Sequence, residues 1–165
     1  MTTTPTETTP TETEETNIPA LMRWARGSYG QAVRRSLAIA GYDDLPRNGA
    51  FVLGGMANLG GSAADMIHGL QVTKQAASQL IDTLVLRGYL TREIDADDRR
   101  RLTITLTDRG HGAAEAVRAA VDAIDAELAE SITPEQLAGL RAGLNALAHI
   151  NWRQAEHAVH HHDDD

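Results

Sequence analysis

The sequence predicts a mostly α-helical fold into which one small two-stranded ribbon is set. Three observations carry that expectation. Leucine, valine and alanine recur at helical spacing over long segments on both sides of the chain's middle. Two short segments, "YLTRE" and "LTITLT", read instead as strands, the second by its alternation of apolar and polar residues. The charged run that joins them reads as a hairpin loop, so the two strands should pair with each other.

Composition bounds the possibilities. Of 165 residues, 42% are hydrophobic, enough for a core. One Phe, two Trp and three Tyr leave that core to Leu, Ile, Val and Ala. The chain has no cysteine, which excludes disulfides, Cys-ligated zinc and thiol-based redox sensing. No apolar run approaches the ~20 residues of a membrane span, and the polar N-terminus is no signal peptide, so a cytoplasmic protein is expected. The net charge is −8, but Glu7, Glu12, Glu14 and Glu15 together with Asp163, Asp164 and Asp165 account for most of it, leaving residues 18–162 at −1. A polyanion partner needs a local positive surface, and that balance leaves room for one.

The elements follow in order. The Thr/Pro/Glu-rich start, "MTTTPTETTPTETEET", cannot bury apolar surface and reads as a disordered tail. From Pro19 to Ala40, Leu21, Trp24, Ala25, Ala32, Val33, Leu37 and Ile39 mark a helix that Gly27 and Gly30 weaken. "GYDDLPRNG" breaks it, and Pro46 can open a second helix over roughly Arg47 to Ala57. Gly54-Gly55 within it suggests the close approach of another helix. Ser62 with Asp65 is a capping-box pattern for a short helix to about His68.

Thr73 is a candidate N-cap for the next helix, whose inward side is read as Ala76, Ala77, Leu80, Ile81, Leu84 and Val85. Lys74, Gln75, Ser78, Gln79 and Asp82 form its polar stripe, and Gly88 fits the left-handed position that ends helices. After the ribbon, Thr107 caps a long helix with Val117, Val121, Ile124 and Leu128 on one side. Thr133-Pro134-Glu135-Gln136 starts the last, along which Leu137, Leu140, Leu144 and Leu147 form an apolar ridge.

The functional signal lies in the middle of the chain. A short helix, a Gly turn, a polar-striped helix and a ribbon with a charged tip follow one another. A helix fits the major groove of DNA, and a basic hairpin tip can reach the neighbouring minor groove. Arginine suits that second role, because its planar, weakly hydrated fork enters narrow electronegative grooves. Asp95, Asp97 and Asp98 beside Arg99, Arg100 and Arg101 can hold some of the arginines in place and leave others for the nucleic acid.

"VTKQAASQLIDTLVLRGYLTREIDADDRRRLTITLTDRG", Val72 to Gly110, resembles the recognition helix and wing of the MarR family of bacterial transcriptional regulators. The features that carry the resemblance are Asp98-Arg99-Arg100, Leu106-Thr107 with Gly110 behind it, and Arg87-Gly88-Tyr89-Leu90; Ala96 departs from the proline usual in the family. The resemblance implies a winged helix-turn-helix fold with long terminal helices forming a dimerisation region. It also implies a homodimer on palindromic double-stranded DNA, usually repressing transcription until a small-molecule effector or other signal releases it. Under that reading 1–17 is a tail, 18–45 an N-terminal dimerisation helix, 46–110 the DNA-binding lobe, 111–153 the C-terminal dimerisation helices and 154–165 a flexible His/Asp tail. Thr73, Lys74, Gln75, Ser78 and Gln79 would face the major groove. Arg100 would enter the minor groove, and Arg99 and Arg101 would meet phosphate or pair with Asp95 or Asp98. Trp24, Tyr29 and Tyr42 could line an effector cavity, with Trp24 and Tyr29 the candidate contacts, against the alternative that these aromatics serve packing.

The remaining features point to little chemistry. His157, His160, His161 and His162 with the terminal aspartates contain metal-ligand types, but a floppy end offers no fixed geometry, and no metal site or cofactor is expected. No nucleophile–base or carboxylate pair has catalytic spacing, so no enzyme is expected. The competing reading is a winged helix used only as a protein-interaction module.

Overall fold

The structure, a computed structural model, describes residues 17–59, 62–68, 72–94 and 102–160. These form six helices and two strands: α1 (Ile18–Ile39), α2 (Gly49–Leu59), α3 (Ala63–His68), α4 (Lys74–Leu86), β1 (Leu90–Ile94), β2 (Leu102–Leu106), α5 (Asp108–Ser131) and α6 (Pro134–His160). The mostly helical fold with one ribbon is as expected. The Thr/Pro/Glu-rich start, the wing-tip segment 95–101 and the last five residues of the His/Asp tail lie outside the described residues. The chain divides into two compact units, Met1–Val121 and Asp122–Asp165, with the boundary inside α5.

In the first unit, local chemistry sets the helix ends. Asn17 caps α1, its Oδ1 accepting from the Ala20 amide at 3.0 Å. The helix stops at Gly41, whose φ of 81° is open to glycine at little cost. Gly41 N donates to the Ala38 carbonyl and Tyr42 N to that of Leu37, the paired bonds that close a helix end. The same device ends α4: Gly88 has φ 73°, its N–H bonds the Val85 carbonyl, and Tyr89 N bonds that of Leu84. Each ending delivers a tyrosine just beyond it.

Two expectations need correction. Pro46 does not open α2; its carbonyl accepts from Gly49 N at 2.7 Å, so residues 46–49 form a turn and the helix starts at Gly49. Ala76, assigned to the inward side of α4, is exposed, because its place in the first turn, where its amide meets the Thr73 cap, is on the outer face.

The core collects buried residues from all five helices of this unit and from β1, with Ile104 and Leu106 of β2 packed against it. Val52 and Leu53 of α2, Leu84 of α4 and Tyr89 are fully buried, joined by Leu90, Ala113 and Ala114 and by Leu37 from α1. A fully buried leucine contributes about 1.5–3 kcal/mol over an exposed one. Small residues allow close approach where helices meet. At Gly55 an added Cβ would overlap the Met66 side chain of α3, which supports the tight approach read from Gly54-Gly55. Ser36 ties α1 to α5 by donating to the Ala116 carbonyl at 2.8 Å. The ribbon is antiparallel, pairing Leu90 with Leu106 and Ile94 with Leu102.

In the second unit, α6 begins with a reciprocal cap. Thr133 N donates to Gln136 Oε1 at 2.9 Å, and Gln136 N donates to Thr133 Oγ1 at 3.3 Å. Leu140, Leu144, Leu147 and Ile150 remain 38–45% exposed along this helix.

Candidate nucleic-acid interface

Helix α4 is built to be presented. Thr73 caps it with Oγ1 accepting from Ala76 N at 3.2 Å, which leaves the hydroxyl proton available to an incoming acceptor. Ala77, Leu80, Ile81 and Leu84 turn toward the core, so Thr73, Lys74, Gln75, Ser78 and Gln79 all stand exposed on the other side. The structure therefore brings the five predicted helix contacts together on one open face. Asp82, at the far end of that stripe, is ion-paired with Arg92 of β1. The pair neutralises the stripe's acid and ties the helix to the ribbon. Arg99, Arg100 and Arg101 lie outside the described residues, in the segment joining the paired ends Ile94 and Leu102.

A second cluster holds the exit of α4. Tyr89 donates its hydroxyl to Asp44 Oδ1, and Arg109 Nη2 donates to the same oxygen at 2.8 Å and to the Tyr89 hydroxyl at 3.1 Å. Arg87 donates to the Asp44 carbonyl. Arg109 also lies over the Tyr89 ring, 4.6 Å from its centroid, and Tyr42 meets Tyr89 edge to face at 6.2 Å. The Tyr89 hydrogen bond, followed by Arg109, holds the Asp44 carboxyl below its ordinary value. Burial, with the Asp44 contact, pushes the Tyr89 phenol up. Hydrogen bonding to Tyr89 raises Arg109.

Thr107 completes the frame. Its hydroxyl lies 2.5 Å from the Gly88 carbonyl and accepts from Gly110 N at 3.0 Å, so the cap of α5 is fastened to the end of α4. Gly110 is needed there because a Cβ would overlap the Tyr89 carbonyl oxygen. Sequence reasoning missed Asp44, Arg92 and Arg109. Their partners are 10 to 65 residues away, and no periodicity reports such pairs.

A cleft of about 1070 Å³ opens between α1, the segment after it and α2, with Val117 of α5 in its lining. Tyr29 lines it, as do Tyr42 and Phe51; Trp24 lies outside the lining and is 59% exposed. Among the described residues no helix is long and apolar enough to cross a membrane, and no cluster of three or more His, Asp or Glu could hold a metal ion.

A polar-faced helix, preceded in the chain by a short helix and followed by an antiparallel ribbon, is a winged helix-turn-helix. Residues 44–101 match the model of the MarR family. Over that segment the chain is similar to that family. Solved structures share the fold over more of the chain. S. aureus MepR in its DNA-binding conformation has a TM-score of 0.66 at 23% identity, covering 81% of this chain and 97% of that one. The S. aureus MepR–DNA complex has a TM-score of 0.64 at 24% identity, with 81% and 98% covered. S. aureus MepR bound to ethidium bromide has a TM-score of 0.54 at 24% identity, with 82% and 97% covered. No curated protein sequence matches the chain.

Proposed function

We propose that this chain is a sequence-specific DNA-binding transcriptional regulator, working in the cytoplasm as a homodimeric repressor released by a small molecule. The observation that carries the reading is the exposed face of α4, where Thr73, Lys74, Gln75, Ser78 and Gln79 stand together beside a ribbon whose connecting segment holds three consecutive arginines. Gln bonds adenine edges bidentately, Lys reaches guanine or phosphate, and Ser and Thr serve either. Arg100 enters the minor groove, with Arg99 and Arg101 on phosphates. The MepR–DNA complex supports the assignment by fold.

The exposed leucine ridge of α6 and the exposed Ile18, Leu21 and Met22 of α1 are apolar surfaces that a second copy covers. A two-fold dimer sets its recognition helices about one DNA turn apart, ~34 Å, so the operator is an inverted repeat. MepR bound to ethidium bromide supports a small-molecule effector, which we place in the cleft containing Tyr29. The test is a gel shift against DNA upstream of the protein's own gene at several salt concentrations. A shift that survives excess unrelated DNA supports the reading, and retention of no DNA at low salt removes it.

A further inference from the structure

Charge is segregated along the start of the chain. Residues 1–16 hold Glu7, Glu12, Glu14 and Glu15 and no Lys or Arg, whereas α1, directly after them, holds Arg23, Arg26, Arg34 and Arg35 and no acid. Arg23, Arg26 and Arg34 recur at helical spacing and stand on one face of α1, along a surface that Arg47 also lines against a single acid, Asp43. Among the described residues none of Arg23, Arg26, Arg34 and Arg47 has an ion-pair partner, whereas Arg92 and Arg109 each have one. Like charges gathered on one surface repel, and an anion laid among them removes that repulsion.

The segment ahead of α1 has the charge, the length and the attachment to be that anion. Residues 1–16 lie outside the described residues, and the chain enters the structure at Asn17, the cap of α1. A helix rises about 1.5 Å per residue, so Arg34 stands about 24 Å along the axis from Ile18. A chain that doubles back from Asn17 can span ~33 Å by the time it reaches Glu7, enough to bring Glu7 to Arg34, with Glu12, Glu14 and Glu15 nearer Arg23 and Arg26. A single exposed ion pair is weak. Tethering offsets that weakness, because a short linker holds the acids at an effective concentration of about millimolar.

We propose that residues 7–15 fold back along α1 and dock on the row formed by Arg23, Arg26 and Arg34, with Arg47 as a further contact. The docked segment is a tethered competitor for any other anion that approaches this surface. The inference goes beyond the regulator reading and needs neither DNA nor an effector.

The chain has no cysteine, so Thr8→Cys gives one site for a nitroxide spin label next to Glu7. The experiment measures amide signal intensities of the isotopically labelled full chain with the nitroxide oxidised and then reduced. Gly30, Val33 and Arg34, far along α1 from the tether, should lose intensity at low ionic strength, and Arg47 with them. The loss should vanish at about 1 M salt, where the screening length is ~3 Å. It should also vanish when Glu7, Glu12, Glu14 and Glu15 are all replaced by Gln. Those substitutions precede α1, so circular dichroism should match the parent. Intensity loss confined to the first turns of α1, or a loss at Arg34 that is the same in the four-Gln variant, is the behaviour of a solvated tail and overturns the proposal. Loss that disappears on dilution with excess unmodified, unlabelled chain belongs to a contact between copies and overturns it too. Loss that persists on that dilution, with the stated salt and charge dependence, upholds it whether or not the chain binds DNA.

Discussion

At Gly110 two effects of opposite sign meet, and their sizes decide which wins. Replacing glycine by alanine inside a helix gains about 0.5–1 kcal/mol from chain entropy. At Gly110 the new Cβ would overlap the Tyr89 carbonyl oxygen, a backbone atom that no rotamer change removes. Overpacking of that kind costs about 1–3 kcal/mol or more. Gly110→Ala should therefore destabilise in urea unfolding, whereas Gly27→Ala in α1, where nothing lies within 4 Å, should be neutral or stabilising. Equal effects of the two substitutions would contradict the close approach of α5 to Tyr89. Asp44 makes a second residue-scale case. Its folded pKa lies below the ordinary 3.8, so its contribution is present above that value and is lost as pH falls through the lowered one. Asn keeps an acceptor for Tyr89 but does not titrate. Asp44→Asn should be less stable than the parent at neutral pH, and the gap should close between about pH 5 and the lowered pKa. A gap independent of pH would show that Asp44 acts by shape alone.

Among the elements, α4 combines what sequence makes visible with what it hides. Its Thr73 cap, its Gly88 exit and its polar stripe were legible because each depends on chemistry within one helical turn. The same holds for Thr107 and for the Thr133–Gln136 pair. The outward place of Ala76 was not legible, because an alanine fits either side of a first turn and only the cap's geometry decides. Nor were the ion pair from Asp82 to Arg92, which joins α4 to the next strand, or the cluster of Asp44, Tyr89 and Arg109, whose members lie 20 to 65 residues apart. That cluster anchors the exit of α4 to the segment after α1. Within the frame, the outer face remains available to bases. Gln75→Ala and Gln79→Ala should change sequence preference more than overall affinity, since both side chains are exposed and adenine is read by paired bonds worth about 1–3 kcal/mol. A randomised-site selection that returns one motif for both variants and the parent would move base reading elsewhere.

For the whole molecule, the ridge of α6 was visible in the spacing of its leucines, but its exposure was not. Periodicity marks an apolar stripe without showing what covers it. Leu140, Leu144 and Leu147 remain exposed by 38–43% in the single chain. The proposed covering of this ridge by a second copy predicts a dimeric parent and a monomeric Leu144→Glu variant in light scattering at micromolar concentration, with the helical content of the first unit intact. A parent that is itself monomeric there would contradict the dimer.

The central claim is that α4 and the arginine-bearing link of the ribbon read DNA together. The measurement that tests it most directly is fluorescence anisotropy of a labelled DNA from upstream of the gene, competed with unlabelled specific and unrelated duplexes, for the parent and Arg100→Ala across salt concentrations. The account predicts a preference of at least about 10³ for the specific duplex and a linear fall of log affinity with log salt. It further predicts a loss of about 1–3 kcal/mol for Arg100→Ala on both duplexes with unchanged circular dichroism. Equal affinity for both duplexes, or full affinity of Arg100→Ala at every salt concentration, would contradict it.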